Sequence, residues 1–291
     1  MGFGDDLMVT AMASRIKKNF PDRQIVIGNV SKKQANHSFI YDNNPNIADC
    51  RKLNKNKTIH IINYHQGNRP YIDYEKSKKY KKYIWNKNFR PEPGQIFFSE
   101  KEKDLAKNIL KKSIEFWKKT NKKNFKAIIF LETSSTKIDD SQFAIKHKNK
   151  DWGINNWREL IKRIKNDFLI IHSSHENTKN IKNLYDTGII NFREACAVLN
   201  ICDLYLGPEG GFGHAAAALN KNAVIYFGGW ISPKIIGYPF HENIYFQNSN
   251  SPCGEYKQIC KHCEEARKKI TVEYFEERIR SYFMKSTLKN F

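Results

Sequence analysis

Residues 203–230, DLYLGPEGGFGHAAAALNKNAVIYFGGW, constrain the fold more than any other stretch of the chain. A short apolar strand, Leu204–Leu206, enters a turn over residues 207–214. An alanine-rich helix is expected over Ala215–Leu219, and Asn220-Lys221-Asn222 leads to a second apolar strand, Ala223–Phe227. Strand, glycine-rich turn, helix and strand make one unit of a parallel α/β sheet. Gly210, Gly211 and Gly213, with Phe212 between them, let the backbone approach a ligand at the helix entry. Open N–H groups and the positive end of the helix dipole favour an anion there, such as a diphosphate. Glu209 and His214 flank the glycines and can hydrogen-bond a ribose or a phosphate. A glycine turn alone is a weak signal, because many are only tight connections. This one lacks the Walker lysine and the full dinucleotide fingerprint, which argues against an ATPase or a dehydrogenase.

The same alternation recurs along the chain. Strand-length apolar runs lie at Ile25–Ile27, Ile59–Ile62, Ile96–Phe98, Ala127–Leu131, Phe168–Ile171 and Ile244–Phe246. Helical patterns lie at Leu7–Asn19, Glu102–Lys119, Asn156–Lys165, Phe192–Asn200 and Val272–Met284. Strands alternating with helices mean an α/β fold with parallel sheets. At 291 residues the chain has room for two domains, and the basic stretch Lys118–Lys126 is the best linker. The division expected is 1–120, 121–271, and a final helix over 272–291.

Lys and Arg outnumber Asp and Glu by 50 to 30, a net charge of +20. This favours anionic partners in general, and the lysine runs read first as solvated surface. No signal peptide or membrane-spanning apolar run is visible, so a cytoplasmic protein is expected. The six cysteines are scattered and form no disulfide framework. Cys260 and Cys263 have the spacing of zinc ligands, with Cys253 and His262 nearby, but one close pair with improvised partners is a weak signal; no metal is expected.

The second informative site is the amino terminus, Gly2-Phe3-Gly4-Asp5-Asp6-Leu7, followed by a helix. An aspartate here is either a simple helix cap or a carboxylate held toward a cleft. GFGDDLMVTAMASRIKKNFPD resembles the G-x-G-D opening of glycosyltransferase family 9, the ADP-heptose:lipopolysaccharide heptosyltransferases. EGGFGHAAAALNKNAVIYFG resembles that family's D-T-G-x-x-H motif, with Glu209 where Asp is more usual. Lys150-Asp151-Trp152, with Trp157 and Leu160, is similar to the family's K-x-W-x-x-x-x-W-x-x-L segment. The three stand in the family's order and span nearly the whole chain.

The resemblance implies the glycosyltransferase B architecture, two Rossmann-like domains with a cleft between them. The acceptor side is the amino-terminal domain, here expected to lack its first strand, and the last helix is expected to cross back to it. It implies an inverting, metal-independent sugar transfer in the assembly of a lipopolysaccharide core or other surface glycan. Asp5 would be the base, with Asp6 as the fallback, and Gly4 and Asp6 would lie beside the acceptor. Lys150 and the Gly211–His214 helix entry would stabilise the departing nucleoside diphosphate. Ser134 and Ser135 would donate to phosphate oxygens, and Glu176 would reach the donor ribose. His65 and Arg69, in an aromatic and polar loop, would hold the acceptor. The partners implied are a nucleotide sugar, a glycan or glycolipid acceptor and the inner face of an anionic membrane, with no specific nucleic acid. Two other readings compete: an epimerase-like enzyme of the same fold acting on nucleotide sugars, and a non-catalytic binder of anionic ligands.

Overall fold

The computed structural model describes residues 2–133, 148–174, 181–248 and 251–288. Helix α1 (Phe3–Asn19) carries Asp5 and Asp6 in its first turn and Lys17 and Lys18 in its last, each sign at the favourable end of the helix dipole. A small sheet follows. β1 (Gln24–Asn29) pairs in parallel with β3 (Ile59–Asn63) and antiparallel with the two-residue β2 (Gln34–Ala35). After α2 (Tyr74–Tyr80) comes the long α3 (Glu100–Thr120). Ser99 and Glu102 cap α3 reciprocally, and Ala106, Ile109, Ser113 and Trp117 are its buried residues. Spacings of three and four residues give one apolar stripe, so α3 lies on a core with its lysine-rich face outward.

Among the described residues the larger sheet has six parallel strands. They are β4 (Ala127–Leu131), β5 (Phe168–Ser174), β6 (Tyr185–Ile189), β7 (Leu204–Pro208), β8 (Asn222–Phe227) and β9 (Glu242–Tyr245), in the order β6-β5-β4-β7-β8-β9. The inner strands are almost continuously apolar because both faces are covered. Ile129, Leu131, Leu204, Leu206 and Tyr226 point to one core, and Phe130, Tyr205, Ile225 and Phe227 to the other. The second core also contains Leu7, Ile25, Ile27 and Ile62, so it continues unbroken from the large sheet to α1 and the small sheet. Helices α4 (Ile154–Ile164), α5 (Phe192–Asn200), α6 (Gly211–Ala218), the single turn α7 (Pro233–Ile236) and α8 (Lys261–Lys269) complete the layers with α9 (Val272–Leu288). Among the described residues no helix is long and apolar enough to cross a membrane.

From β4 the chain winds outward through β5 to β6, then returns to β7 and winds the other way. The strand order therefore reverses between β4 and β7. In open parallel sheets ligands bind outside the carboxyl ends of the strands at such a reversal.

Three sequence expectations are corrected. Ile96–Phe98 is not a strand; the Phe97 carbonyl instead accepts from Arg193 Nη2 at 2.6 Å. The glycine turn is shorter than expected, since α6 begins at Gly211 rather than Ala215. The last helix packs on the large sheet's own side: Phe275 and Ile279 are buried with Trp152 and Trp157, and Trp152 stacks on Phe275 with centroids 4.7 Å apart. Those two tryptophans offer α9 a large apolar seat close by, which outweighs a crossing to the first sheet.

Candidate active site

A cleft of about 770 Å³ opens at the reversal between β4 and β7. Its floor is Glu132 after β4 and Pro208, Glu209 and Gly210 at the end of β7. The start of α1 and the aromatic residues Tyr83, Trp85 and Trp230 line the rest of it.

The two glycine-bearing motifs meet here. A Cβ on Gly4 would come within 2.7 Å of His214 Cδ2 and 3.3 Å of Gly211 Cα. Only glycine lets the first turns of α1 and α6 approach so closely. Two positive helix ends thus converge on one wall of the cleft, and the first N–H groups of α6 have no partner within the helix. Anions are favoured there.

Asp5 is that wall's carboxylate. It is 7% exposed, accepts from Tyr71 Oη at 2.7 Å and Tyr64 Oη at 3.3 Å, and lies 3.5 Å from Arg69 Nη1. Burial and the Asp5 charge push the Tyr71 phenol well above its ordinary pKa, so it remains a donor. Two tyrosines and an arginine thus fix the rotamer of Asp5 at the cleft edge. Asp6, one residue on, faces the interior: it accepts from Ser38 Oγ at 2.8 Å and Tyr41 Oη at 3.1 Å. Burial raises the Asp6 pKa against the lowering effect of the hydrogen bonds from Ser38 and Tyr41. Asp6 does not line the cleft, which corrects its expected acceptor role; the hydrogen bonds from Ser38 and Tyr41 turn its carboxylate away from the cleft.

Lys150 Nζ lies 2.6 Å from Glu209 Oε1, with their side chains only 11% and 4% exposed. The same ammonium stands 5.0 Å from the Trp230 ring centroid, within cation–π reach. His214 Nδ1 shares a 2.9 Å hydrogen bond with the Tyr238 hydroxyl. Burial, assisted by the Lys150 charge, lowers the His214 pKa to about 4, so its imidazole is neutral at pH 7. It can orient a ligand by hydrogen bonding but adds no positive charge.

The expected residues divide. Gly4, Asp5, Arg69, Lys150, Glu209, Gly210, Gly211, Phe212 and His214 all border the cleft. Gly213 does not; a Cβ there would meet Ile225 Cδ1 at 3.2 Å, so it seats α6 on β8. His65 also stays outside, its Nδ1 accepting from Gly67 N at 3.2 Å, while its neighbour Gln66 lines the cleft. Ser134, Ser135 and Glu176 lie outside the described residues. Sequence reading placed Tyr64 and Tyr71 in the aromatic acceptor loop but not on Asp5, and it missed Tyr238 and the wall of Tyr83, Trp85 and Trp230. The last had one local signal: Gly228-Gly229 directly after β8 frees the backbone where a Cβ on Gly229 would strike His262 Nε2 at 2.3 Å.

A glycosyltransferase family 9 structure from Veillonella parvula superposes with a TM-score of 0.57 at 10% identity, over 98% of this chain and 95% of that one. The iron-containing dodecameric glycosyltransferase TibC of enterotoxigenic Escherichia coli gives 0.56 at 12%, over 99% and 77%. For E. coli ADP-heptose lipopolysaccharide heptosyltransferase II the match is partial, 0.44 at 15%, spanning 67% of this chain but about half, 54%, of that one. At such identities the likeness is one of fold, the glycosyltransferase B type. No curated protein sequence matches the chain. The model of glycosyltransferase family 9 (heptosyltransferase) matches residues 53–268. That stretch carries the Lys150 segment and the whole Glu209–His214 turn, and Asp5 precedes it: this chain belongs to glycosyltransferase family 9.

Proposed function

We propose that the chain transfers a sugar from a nucleoside-diphosphate sugar to a glycan acceptor, with inversion at the anomeric carbon. The observation that carries this reading is the contact of Gly4 with Gly211 and His214, which sets a fixed carboxylate beside an anion-favouring helix entry. In this reading the acceptor hydroxyl attacks the anomeric carbon from the Asp5 side. A new C–O bond forms, its proton passes to the Asp5 carboxylate, and the bond to the diphosphate breaks. Lys150 and the open N–H groups of Gly211 and Phe212 take up the negative charge that develops on the leaving group, in place of a metal ion. Glu209 holds Lys150 in place, and neutral His214 orients the donor. Arg69 and the aromatic wall of Trp85 and Trp230 present an acceptor surface that combines a cation with flat apolar faces.

TibC has been solved in complex with ADP-D-β-D-heptose, and on that basis the donor proposed here is an ADP-linked heptose. The acceptor proposed is a lipopolysaccharide core or another surface glycan, reached at the inner face of an anionic membrane that the +20 charge would favour. The test is thermal stabilisation by a panel of nucleoside diphosphates and nucleotide sugars at fixed salt, followed by product analysis with acceptor. Selective stabilisation by one base, not increased by added Mg²⁺ or Mn²⁺, and sugar transfer only with acceptor are expected. Release or epimerisation of the sugar without acceptor would defeat the transferase reading.

A further inference from the structure

We infer that Cys253, Cys260 and Cys263 form a site for one thiophilic transition-metal ion, zinc or iron, which fastens the loop beneath Lys150 and Trp230. Their three sulfurs all lie within 4.8 Å of one another, and Cys253 Sγ is 3.3 Å from Cys263 Sγ. All three are free thiols, with Cys253 and Cys263 only 7% and 1% exposed. Tetrahedral thiolate coordination at about 2.3 Å puts sulfurs roughly 3.8 Å apart, the spacing this cluster already approaches. Soft sulfur ligands select ions of the zinc and iron class over magnesium or calcium.

The fold supplies what the sequence did not display. Cys260 caps α8 and Cys263 lies in its first turn, which makes the familiar close pair. Cys253, on the loop after β9, is folded back onto them because its N–H donates to Gly229 O at 3.0 Å and Gly254 N–H to Trp230 O at 3.1 Å. His262 is not the partner its position suggested; its Nε2 meets Ser251 Oγ at 2.6 Å. Three sulfurs leave one tetrahedral position for a further ligand such as water, and Cys260 is the partly exposed member of the set.

The loop between these cysteines touches the cleft's support at nearly every step. Trp230 Nε1 donates to Glu255 O at 2.7 Å, and Tyr83 N to Gly254 O at 2.9 Å. Asn149, next to Lys150, donates to Glu255 O at 3.1 Å and Gln258 O at 3.0 Å, while its Oδ1 accepts from Cys260 N at 2.8 Å. A segment without regular structure is costly to hold in one conformation. An ion closing it would offset that cost and keep Asn149 and Trp230 in register. Ligation releases thiol protons to solvent and moves no electrons. The ion is structural, so the metal-free chemistry proposed above is unchanged; only the link to Lys150 rests on that reading.

The experiment is elemental analysis of the full chain purified under reducing conditions, with hydrogen exchange on the same samples. About one zinc or iron per chain is expected, and the analysis itself says which. Replacement by Co²⁺ should give sulfur-to-cobalt charge-transfer absorption. Cys253→Ser, Cys260→Ser and Cys263→Ser should each lose the ion, whereas Cys50→Ser keeps it. Loss should speed exchange at the Lys150 and Trp230 amides and leave strand β5 unchanged. If the buried-site variants fail to fold, Cys260→Ser, at the half-buried member, carries the test. A chain without metal, a Cys253–Cys263 disulfide, or a metal retained by Cys260→Ser would overturn the site. Metal loss with unchanged exchange would overturn its link to the cleft. Neither readout involves substrate, so a failure of the transferase reading is seen separately.

Discussion

Gly4 on the first helix and Gly211 at the start of α6 are in van der Waals contact, with room for no side chain between them: a Cβ on Gly4 would lie 3.3 Å from Gly211 Cα and 2.7 Å from His214 Cδ2. Gly4→Ala should therefore push the two helix ends apart. The expected loss of stability is about 1–3 kcal/mol, as for other overpacked sites. Transfer should fall further than stability, because Asp5 rides on the displaced turn. Urea denaturation beside an activity assay checks this, and wild-type turnover in Gly4→Ala would show that the contact is not needed.

The Lys150–Glu209 pair predicts an asymmetry. Removing the cation alone, in Lys150→Ala, strands a carboxylate that is 4% exposed. That should cost about 3–5 kcal/mol. The double variant Lys150→Met/Glu209→Gln removes both charges and should recover most of the loss. Nucleoside-diphosphate binding should be weakened in both, since neither supplies the ammonium. Tight diphosphate binding by the double variant would exclude Lys150 from the donor site.

For Asp5 the prediction separates chemistry from binding. Asp5→Asn keeps the shape of the site and should lower turnover by about 10²–10⁴-fold with donor affinity nearly unchanged. Tyr71→Phe removes the 2.7 Å hydrogen bond to Asp5 and should lower kcat while leaving the donor KM alone. Equal loss of binding and turnover in Asp5→Asn would make Asp5 structural instead.

His214 predicts a pH dependence of stability. Burial holds its folded-state pKa at about 4, below the ordinary 6.5 of an unfolded chain. The unfolded state therefore binds a proton first as pH falls, so stability is full above about pH 6.5 and declines toward pH 4. From pH 7 to pH 4.5 the loss attributable to this one group is about 2 kcal/mol. His241, lowered to about 4 by burial, acts in the same direction. His214→Gln should flatten the stability profile over that interval, read by denaturation at each pH. A profile as steep as wild type would assign the slope to other groups.

How much of this was visible in the sequence depends on how local the cause is. The strands at 127–131, 204–208 and 222–227 show as apolar runs because both faces are covered. The glycine turn shows because close approach needs glycine next to a strand end. Gly4 and Gly213 look alike in sequence, yet one meets another helix and the other seats α6 on β8; only the fold decides. The tyrosines on Asp5 stand 59 and 66 residues away, and no pattern along the chain announces such a pairing. Amphipathicity gave α9 an apolar face but not its partner, which the Trp152 and Trp157 pair supplied. Cys253 likewise joins its cluster through backbone hydrogen bonds that carry no side-chain signature.

Arg193 provides a last prediction, about how the two sheets are held together. It starts on α5 beside the large sheet and reaches across to the first part of the chain. Its Nε and Nη2 grip the Glu102 carboxylate at 2.7 and 3.0 Å, and it also donates to Phe39 O at 3.0 Å and Phe97 O at 2.6 Å. A planar fork of five donors can serve a carboxylate and several carbonyls together, whereas an ammonium cannot. Arg193→Lys should therefore be nearly as damaging as Arg193→Met, each costing about 3 kcal/mol or more by leaving a half-buried carboxylate and two carbonyls poorly paired. Because the cleft lies between the parts that Arg193 joins, both variants should also show faster hydrogen exchange in α1 and in the 97–102 segment. Full rescue by lysine would mean that charge alone is required and that the forked geometry is incidental.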